Sequence, residues 1–168
     1  MKNKPITIKS ILNLDKKLIV IIGRDERLKV LIGNSAIKHT SFRRVLRNME
    51  NSRHPYEQCK LIEELVINAQ TNNTLIVTNS SYFVDHLRNM MEASKKKNQD
   101  QIKEKFLLKD KRAFIKVKDV AVFDCEDGKI KNVLSKNGAI DWDTFSKVAE
   151  ELCDLFFHME EPDYVGLG

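Results

Sequence analysis

No apolar run in this 168-residue chain approaches the roughly 20 residues that a membrane-crossing helix needs, so a bilayer-spanning protein is not expected. The opening residues, MKNKPITIKS, lack the apolar stretch of a secretory signal, which makes the cytoplasm the expected location. Cysteine is scarce: Cys59, Cys125 and Cys153 are odd in number, widely spaced and form no C-x-x-C pair. That excludes a disulfide framework and points to buried thiols in a reducing compartment. His39, His54, His86 and His158 are scattered, and no Cys/His/Asp/Glu set has metal-ligand spacing, so neither metal nor cofactor is expected. Ser80 and Ser81 lack a G-x-S-x-G elbow and a recognisable base, which removes nucleophilic catalysis. There is no internal repeat and no second hydrophobic stretch large enough for another core. One domain spanning residues 1–168 is expected.

What is present is ordinary in bulk and uneven in detail. Hydrophobic residues make up 42% and charged residues 32%, the balance of a globular domain. The net charge of +5 hides blocks of opposite sign: residues 1–53 carry 13 basic and 4 acidic side chains, residues 88–118 carry 11 and 4, and residues 119–168 carry 4 and 12. Such blocks either neutralise one another within the fold or serve association with a partner.

Periodicity gives a coarse element order. Ile6–Lys9 and Leu18–Ile22 read as strands, followed by an ambiguous stretch from Glu26 to Ile32 and a turn at Gly33-Asn34. Ser41 to Met49 reads as a basic helix. Pro55 suits the first turn of another, with Leu61, Ile62, Leu65, Val66 and Ala69 as its apolar stripe. Leu75–Thr78 is a buried strand, and Phe83, Val84, Leu87, Met90 and Met91 mark the helix after it. The polar stretch from Lys95 to Asp110 has neither glycine nor proline and is expected as a frayed helix or mobile basic insert, over about 95–116. A strand pair, Val117–Asp124 and Lys129–Leu134, turns over Glu126-Asp127-Gly128. A last helix from Asp141 or Asp143 to Glu160 carries Phe145, Val148, Ala149, Leu152, Phe156 and Met159 on one face, and Pro162 stops it.

The stretch Leu75 to Val84, LIVTNSSYFV, carries most of the chemical information. It is a strand feeding straight into a helix, with Ser80 or Ser81 placed to accept orphan N–H groups at an anion-friendly helix start. Such junctions hold ligand-facing polar residues in nucleotide-binding α/β folds. The segment resembles the switch-histidine motif T-H-S-x-Y-hydrophobic of ABC-type ATPases of the OLD and SMC-like branch, with Asn79 in place of the histidine. Upstream, Glu50, His54, Pro55 and Gln58 fall in register with D-E-P-E-x-x-L-H-P-x-x-Q, while the metal-binding Asp and the catalytic Glu correspond to Arg47 and Asn48. Gly23 and Lys29 keep the first glycine and the lysine of a G-x-x-x-x-G-K-[ST] phosphate loop. Leu28 and Val30 replace its second glycine and its hydroxyl, and Asp25 and Glu26 occupy the place of phosphate. Further on, Val120-Ala121-Val122-Phe123, Asp127-Gly128 and Gly138-Ala139-Ile140-Asp141-Trp142-Asp143-Thr144-Phe145 resemble the family's closing β-pair and helix.

The resemblance implies a three-layer α/β domain with a partly parallel sheet, a reduced version of the P-loop NTPase-like fold. It also implies lost catalysis. An arginine cannot replace a hard oxygen ligand for magnesium, and an asparagine cannot take a proton from water. Too few residues separate Lys29 from Glu50 for the helical lobe and its LSGGQ-like signature. Relatives of this branch act beside nucleases in DNA repair and anti-phage defence. The implied role is an accessory subunit that pairs with a partner ATPase, a nuclease or a second copy of itself.

The alternative is a stand-alone, sequence-blind DNA- or RNA-backbone binder. Two basic groups bear on both readings. Arg43, Arg44, Arg47 and Arg53, with Lys38 and His39, either grip phosphate or form a solvated face. Lys95, Lys96, Lys97, Lys103 and Lys105, with Lys109, Lys111 and Arg112, either track a nucleic-acid backbone or hydrate an insert. No aromatic residues interleave with them, so base stacking is not expected. His54 reads as a capping or packing residue, and Asp124, Glu126, Asp127, Asp141 and Asp143 as turn and cap residues.

Overall fold

The computed structural model describes residues 5–48 and 53–142. They form α1 (Ile8–Leu12), β1 (Leu18–Ile22), α2 (Glu26–Ile37), β2 (Arg44–Arg47), α3 (Pro55–Ala69), β3 (Thr74–Val77), α4 (Ser81–Lys95), α5 (Gln99–Lys103), β4 (Val120–Glu126) and β5 (Lys129–Asn132). The sheet has the order β2-β3-β1-β4-β5, with only the β4–β5 pair antiparallel. This is a three-layer α/β architecture with a mostly parallel sheet, the fold class expected.

β1 is buried along its whole length, LIVII, because both faces of the sheet are covered. Leu18, Val20 and Ile22 join the core beneath α3 and α4, whereas Ile19 and Ile21 face α1 and α2. The connection from β1 to β2 runs one way across the sheet through α2. Those from β2 to β3 and from β3 to β4 run the other way through α3 and α4. Right-handed crossovers then require the helices to lie on opposite faces, as they do.

Four expectations are corrected. Ile6–Lys9 is not a strand: Thr7 caps α1, and Thr7 and Ser10 exchange hydrogen bonds in a capping box that fixes helical geometry. The stretch from Glu26 through Gly33-Asn34 contains no turn and belongs to α2. Its buried residues Lys29, Ile32, Gly33 and Ala36 follow helical spacing, and Asp25 caps its start. The basic helix expected over Ser41–Met49 is not formed by the described residues 41–48, because the edge of β3 offers backbone partners to residues 44–47. Val45 and Leu46 then pack toward opposite faces, as only an extended chain allows.

The fourth concerns the basic insert. Residues 95–116 carry α5 and send Phe106, Ala113, Phe114 and Ile115 into the core, with the Phe106 and Phe114 rings 4.8 Å apart. A buried carboxylate holds the segment in place. Glu63 of α3, fully inaccessible, accepts from the Leu107 and Leu108 N–H groups (3.1 and 2.8 Å) and lies 2.7 Å from His86 Nε2. The strand pair is displaced slightly from expectation, because residues 117–119 form a 3-10 turn before β4. Asp127 and Gly128 make the hairpin turn with φ of 48° and 71°. The expected last helix lies outside the described residues from Asp143 onward, as does Glu50. No helix among the described residues is long and apolar enough to cross a membrane.

Candidate functional site

In parallel α/β sheets, ligands meet the chain at the carboxyl ends of the strands, where neighbouring strands send their helices to opposite faces. Here that point lies between β1 and β3, because α2 leaves β1 on one side and α4 leaves β3 on the other. Three side chains close it. The Lys29 ammonium, on a side chain with no solvent exposure, donates to Glu26 Oε1 at 2.6 Å and to Asn79 Oδ1. Asn79 Nδ2 in turn donates to the same Glu26 oxygen at 2.9 Å. An asparagine suits this place because its carbonyl serves the ammonium while its amide serves the carboxylate. The hydrogen bonds from Lys29 and then Asn79 hold the Glu26 carboxyl below its ordinary pKa, so it is the charged form that the network stabilises.

Residues 23–25, between β1 and α2, form a three-residue bend tied by hydrogen bonds to the chain's own oxygens. Gly23 has φ of 108°, and a Cβ there would lie 2.4 Å from the Cys125 carbonyl oxygen and 2.6 Å from its nitrogen. Asp25 N–H donates to Cys125 O, Glu26 N–H to Arg24 O and Lys29 N–H to Asp25 O. The Asp25 carboxylate accepts from Leu28 N–H at 2.9 Å and from Gly128 N–H at 2.8 Å, which lowers its pKa. The α2 start thus turns its N–H groups to the chain's own oxygens, with the Asp25 side chain doing what a phosphate would do at such a terminus.

The other junction residues are held structurally as well. Ser80 caps α4, accepting from Phe83 N–H at 3.1 Å, and its hydroxyl donates to Gln58 Oε1; two positions matched by the resemblance thus meet in space. His54 caps α3, with Nδ1 accepting from Tyr56 N–H at 3.2 Å ahead of Pro55. Asn48 ends β2 with φ of 45° and gives its N–H to Val77 O. Arg47 lies over α2 instead of facing a ligand: it donates to Asn34 Oδ1 at 2.7 Å, and its guanidinium fills the notch left by Gly33. On the far side of Gly23, Arg24 pairs with Glu126, and the Asp124 carboxyl is raised in pKa by burial and by Glu126.

The candidate nucleic-acid residues fall into two places. Arg43 reaches Asn72 at 3.4 Å and Arg44 is exposed on the edge strand β2. Most lysines of the 95–116 stretch are matched by acids nearby in sequence: Lys95 and Lys96 with Glu92 of α4, Lys103 and Lys111 with Asp100, Lys109 with Glu104, and Arg112 with Asp110. Lys97 and Lys105 are exposed. Glu92 is drawn down to about 2 by its two lysines.

Sequence reasoning grouped Gly23, Lys29, Arg47, Asn48, Glu50, His54, Asn79 and Ser80 as one degenerate nucleotide site. Of these, Lys29 and Asn79 are hydrogen-bonded to each other. Gly23 lies against Cys125, Arg47 pairs with Asn34, Asn48 gives its N–H to Val77, His54 and Ser80 cap helices, and Glu50 lies outside the described residues. It gave Glu26 no partner and left Glu63 and His86 unconnected. The Glu63–His86 contact spans 23 residues and two helices, and only an acid inside the α3 apolar stripe hints at it. Among the described residues no group of three or more His, Cys, Asp or Glu could hold a metal ion. No protein-family model matches this chain, and no curated protein or solved structure matches it either.

Proposed function

We propose that this protein is a catalytically inactive, ABC-ATPase-like accessory subunit that pairs with a partner ATPase or nuclease, or with itself, in a DNA-directed or defence system. The observation that supports it best is the closed Lys29–Glu26–Asn79 network at the crevice between β1 and β3. A lysine that serves nucleotide must present a free ammonium to phosphate oxygens. This one is buried and already charge-matched by Glu26, while Asp25 takes the helix-start N–H groups. The resemblance to the ATPase branch supplies the descent. The replacement of its two carboxylates by Arg47 and Asn48 supplies the loss of magnesium binding and of the general base.

The partner-binding half of the reading draws on the surface. α2 presents Val30, Leu31 and Ile37 at 45%, 48% and 64% exposure, and β2, which α2 packs against, lies at an edge of the sheet formed by the described residues. An apolar stripe next to an edge strand is a surface suited to another chain. The local pairing of the 95–116 lysines with acids weakens the case for a nucleic-acid-binding protein acting alone.

Two measurements test this. Purified protein should show no magnesium-dependent ATP turnover above a buffer blank. Turnover abolished by Lys29→Met in a variant that still melts cooperatively would overturn the inactive reading. Co-expression with a candidate partner ATPase or nuclease should give a complex that survives physiological salt. A gel shift of DNA or RNA by the protein alone, with the steep salt loss of a multi-phosphate contact, would favour the stand-alone binder instead.

A further inference from the structure

A groove of about 500 Å³ lies open between α1 and the β4–β5 pair, on the sheet face opposite α3 and α4. It exists because α1 is only five residues long and α2 sits mainly over β2 and β3. Its apolar lining comes from Ile6, Ile11 and Leu14 around α1 and from Ala121, Phe123 and Leu134 on the strand side. The space falls within the roughly 300–1,000 Å³ of small-molecule sites. A protein helix docked here would need contact well beyond the groove, since a stable interface covers roughly 800 Å² on each partner.

The charge in the groove lining is of one sign and gathered at one end. Lys16 precedes β1 and Lys118 precedes β4, and the first residues of those strands, Leu18 and Val120, are partners in register. Lys136 follows β5, which runs antiparallel to β4 and so returns to the same end. Lys16 Nζ donates to the Lys118 carbonyl oxygen, which brings the two residues together. No carboxylate among the described residues pairs with Lys16, Lys118 or Lys136. Of the acids next to them in sequence, Asp119 is held by Lys17 at 3.5 Å and Asp15 is exposed. From Val120 the strand continues to Phe123, about 10 Å further from the lysines.

We infer that this groove is a binding site for a long-chain carboxylate, its acyl chain laid over Ala121 and Phe123 and its head among Lys16, Lys118 and Lys136. Cations at one end of an apolar floor are complementary to an anionic head on a single apolar tail: the floor supplies the affinity and the lysines fix the direction. Three unmatched ammonium groups repel one another, and an incoming anion relieves that repulsion. The lining contains no arginine, whose planar fork suits phosphate, so a carboxylate head is the better match. The inference rests on the groove and its lysines and does not depend on the ATPase-like reading.

Titration of the ¹⁵N-enriched full chain with dodecanoate, below its micelle concentration, should give saturable shifts at the Leu14, Ala121, Phe123 and Leu134 amides. Decanoate should bind more weakly, by a factor approaching about fourfold for each CH₂ removed. Dodecyltrimethylammonium, with the same tail and the opposite head, should bind about tenfold more weakly than dodecanoate, the sum of a few modest exposed ion pairs. The exposed pair Lys118→Glu and Lys136→Glu should reverse that preference while the rest of the spectrum stays folded. Absence of saturable groove shifts, equal binding of the two heads, or first shifts at Val30, Leu31 and Ile37 of α2 would overturn the inference. So would groove shifts that grow with protein concentration alone, because a second copy would then fill the groove. Saturable binding of an acidic amphipathic helical peptide, with none of dodecanoate, would overturn it in favour of a protein partner.

Discussion

The Lys29 ammonium donates to Glu26 three residues before it and to Asn79 fifty residues after it, tying the start of α2 to the end of β3. A buried cation of this kind is stable only while both acceptors remain. Lys29→Ala removes a fully buried side chain together with its hydrogen bonds to Glu26 and Asn79, and is expected to cost about 2–4 kcal/mol in urea unfolding. Lys29→Met keeps the volume and should recover roughly half of that loss. An alanine variant as stable as the parent would show that the ammonium is not part of the fold.

Gly23→Ala should be among the most damaging single changes. Its Cβ would meet the backbone of Cys125, which cannot yield as a side-chain tip would, at a φ that L residues rarely adopt. A loss of about 3 kcal/mol or more, read as a fall in melting temperature or in soluble yield, is expected.

Gly33 behaves differently because its close neighbour is the flexible end of Arg47. Gly33→Ala displaces that guanidinium from Asn34 while gaining about 1 kcal/mol of helix propensity, so the two effects should nearly cancel. In an Arg47→Ala background the same change should be stabilising by about 1 kcal/mol. A double-mutant cycle without coupling between positions 33 and 47 would contradict the packing described.

Glu63 gives a pH dependence with a defined sign. Burial would raise its pKa, but the hydrogen bonds from His86, Leu108 and Leu107 outweigh burial and hold it below 4.5. A depressed carboxylate contributes stability that is fully present above its unfolded value and is lost as pH falls through the folded one. The protection of the Leu107 and Leu108 amides, measured as exchange relative to the intrinsic rate at each pH, should therefore fall on acidification below about pH 4.5, and Glu63→Gln should flatten that response. Equal acid sensitivity in the variant would mean that another group governs the segment.

Read as sequence, the chain determined the strands and helices whose signals are local. The unbroken apolar run of β1 announces a strand buried on both faces. Pro55 after His54 marks a helix start, the stripes of α3 and α4 repeat at helical spacing, and Asp127-Gly128 accepts the positive φ angles of a tight hairpin turn. The sequence also singled out Lys29 and Asn79, which meet in the structure, because a polar residue directly after a buried strand has few other places to go. Tertiary structure decided the rest. Residues 41–49 carry both a helical stripe and an extended alternation, and the free edge of β3 selected the strand. Gly33 reads as a turn and serves as a notch, because its neighbour in space is Arg47, fourteen residues away along the chain. The polar stretch after Lys95 has no periodic signal at all, and it is ordered by Phe106 entering the core and by one buried carboxylate on another helix. The pairing of Lys29 with Glu26 and Asn79, which bears most directly on function, joins α2 to the end of β3. No spacing rule connects those positions; the parallel register of β1 and β3 does.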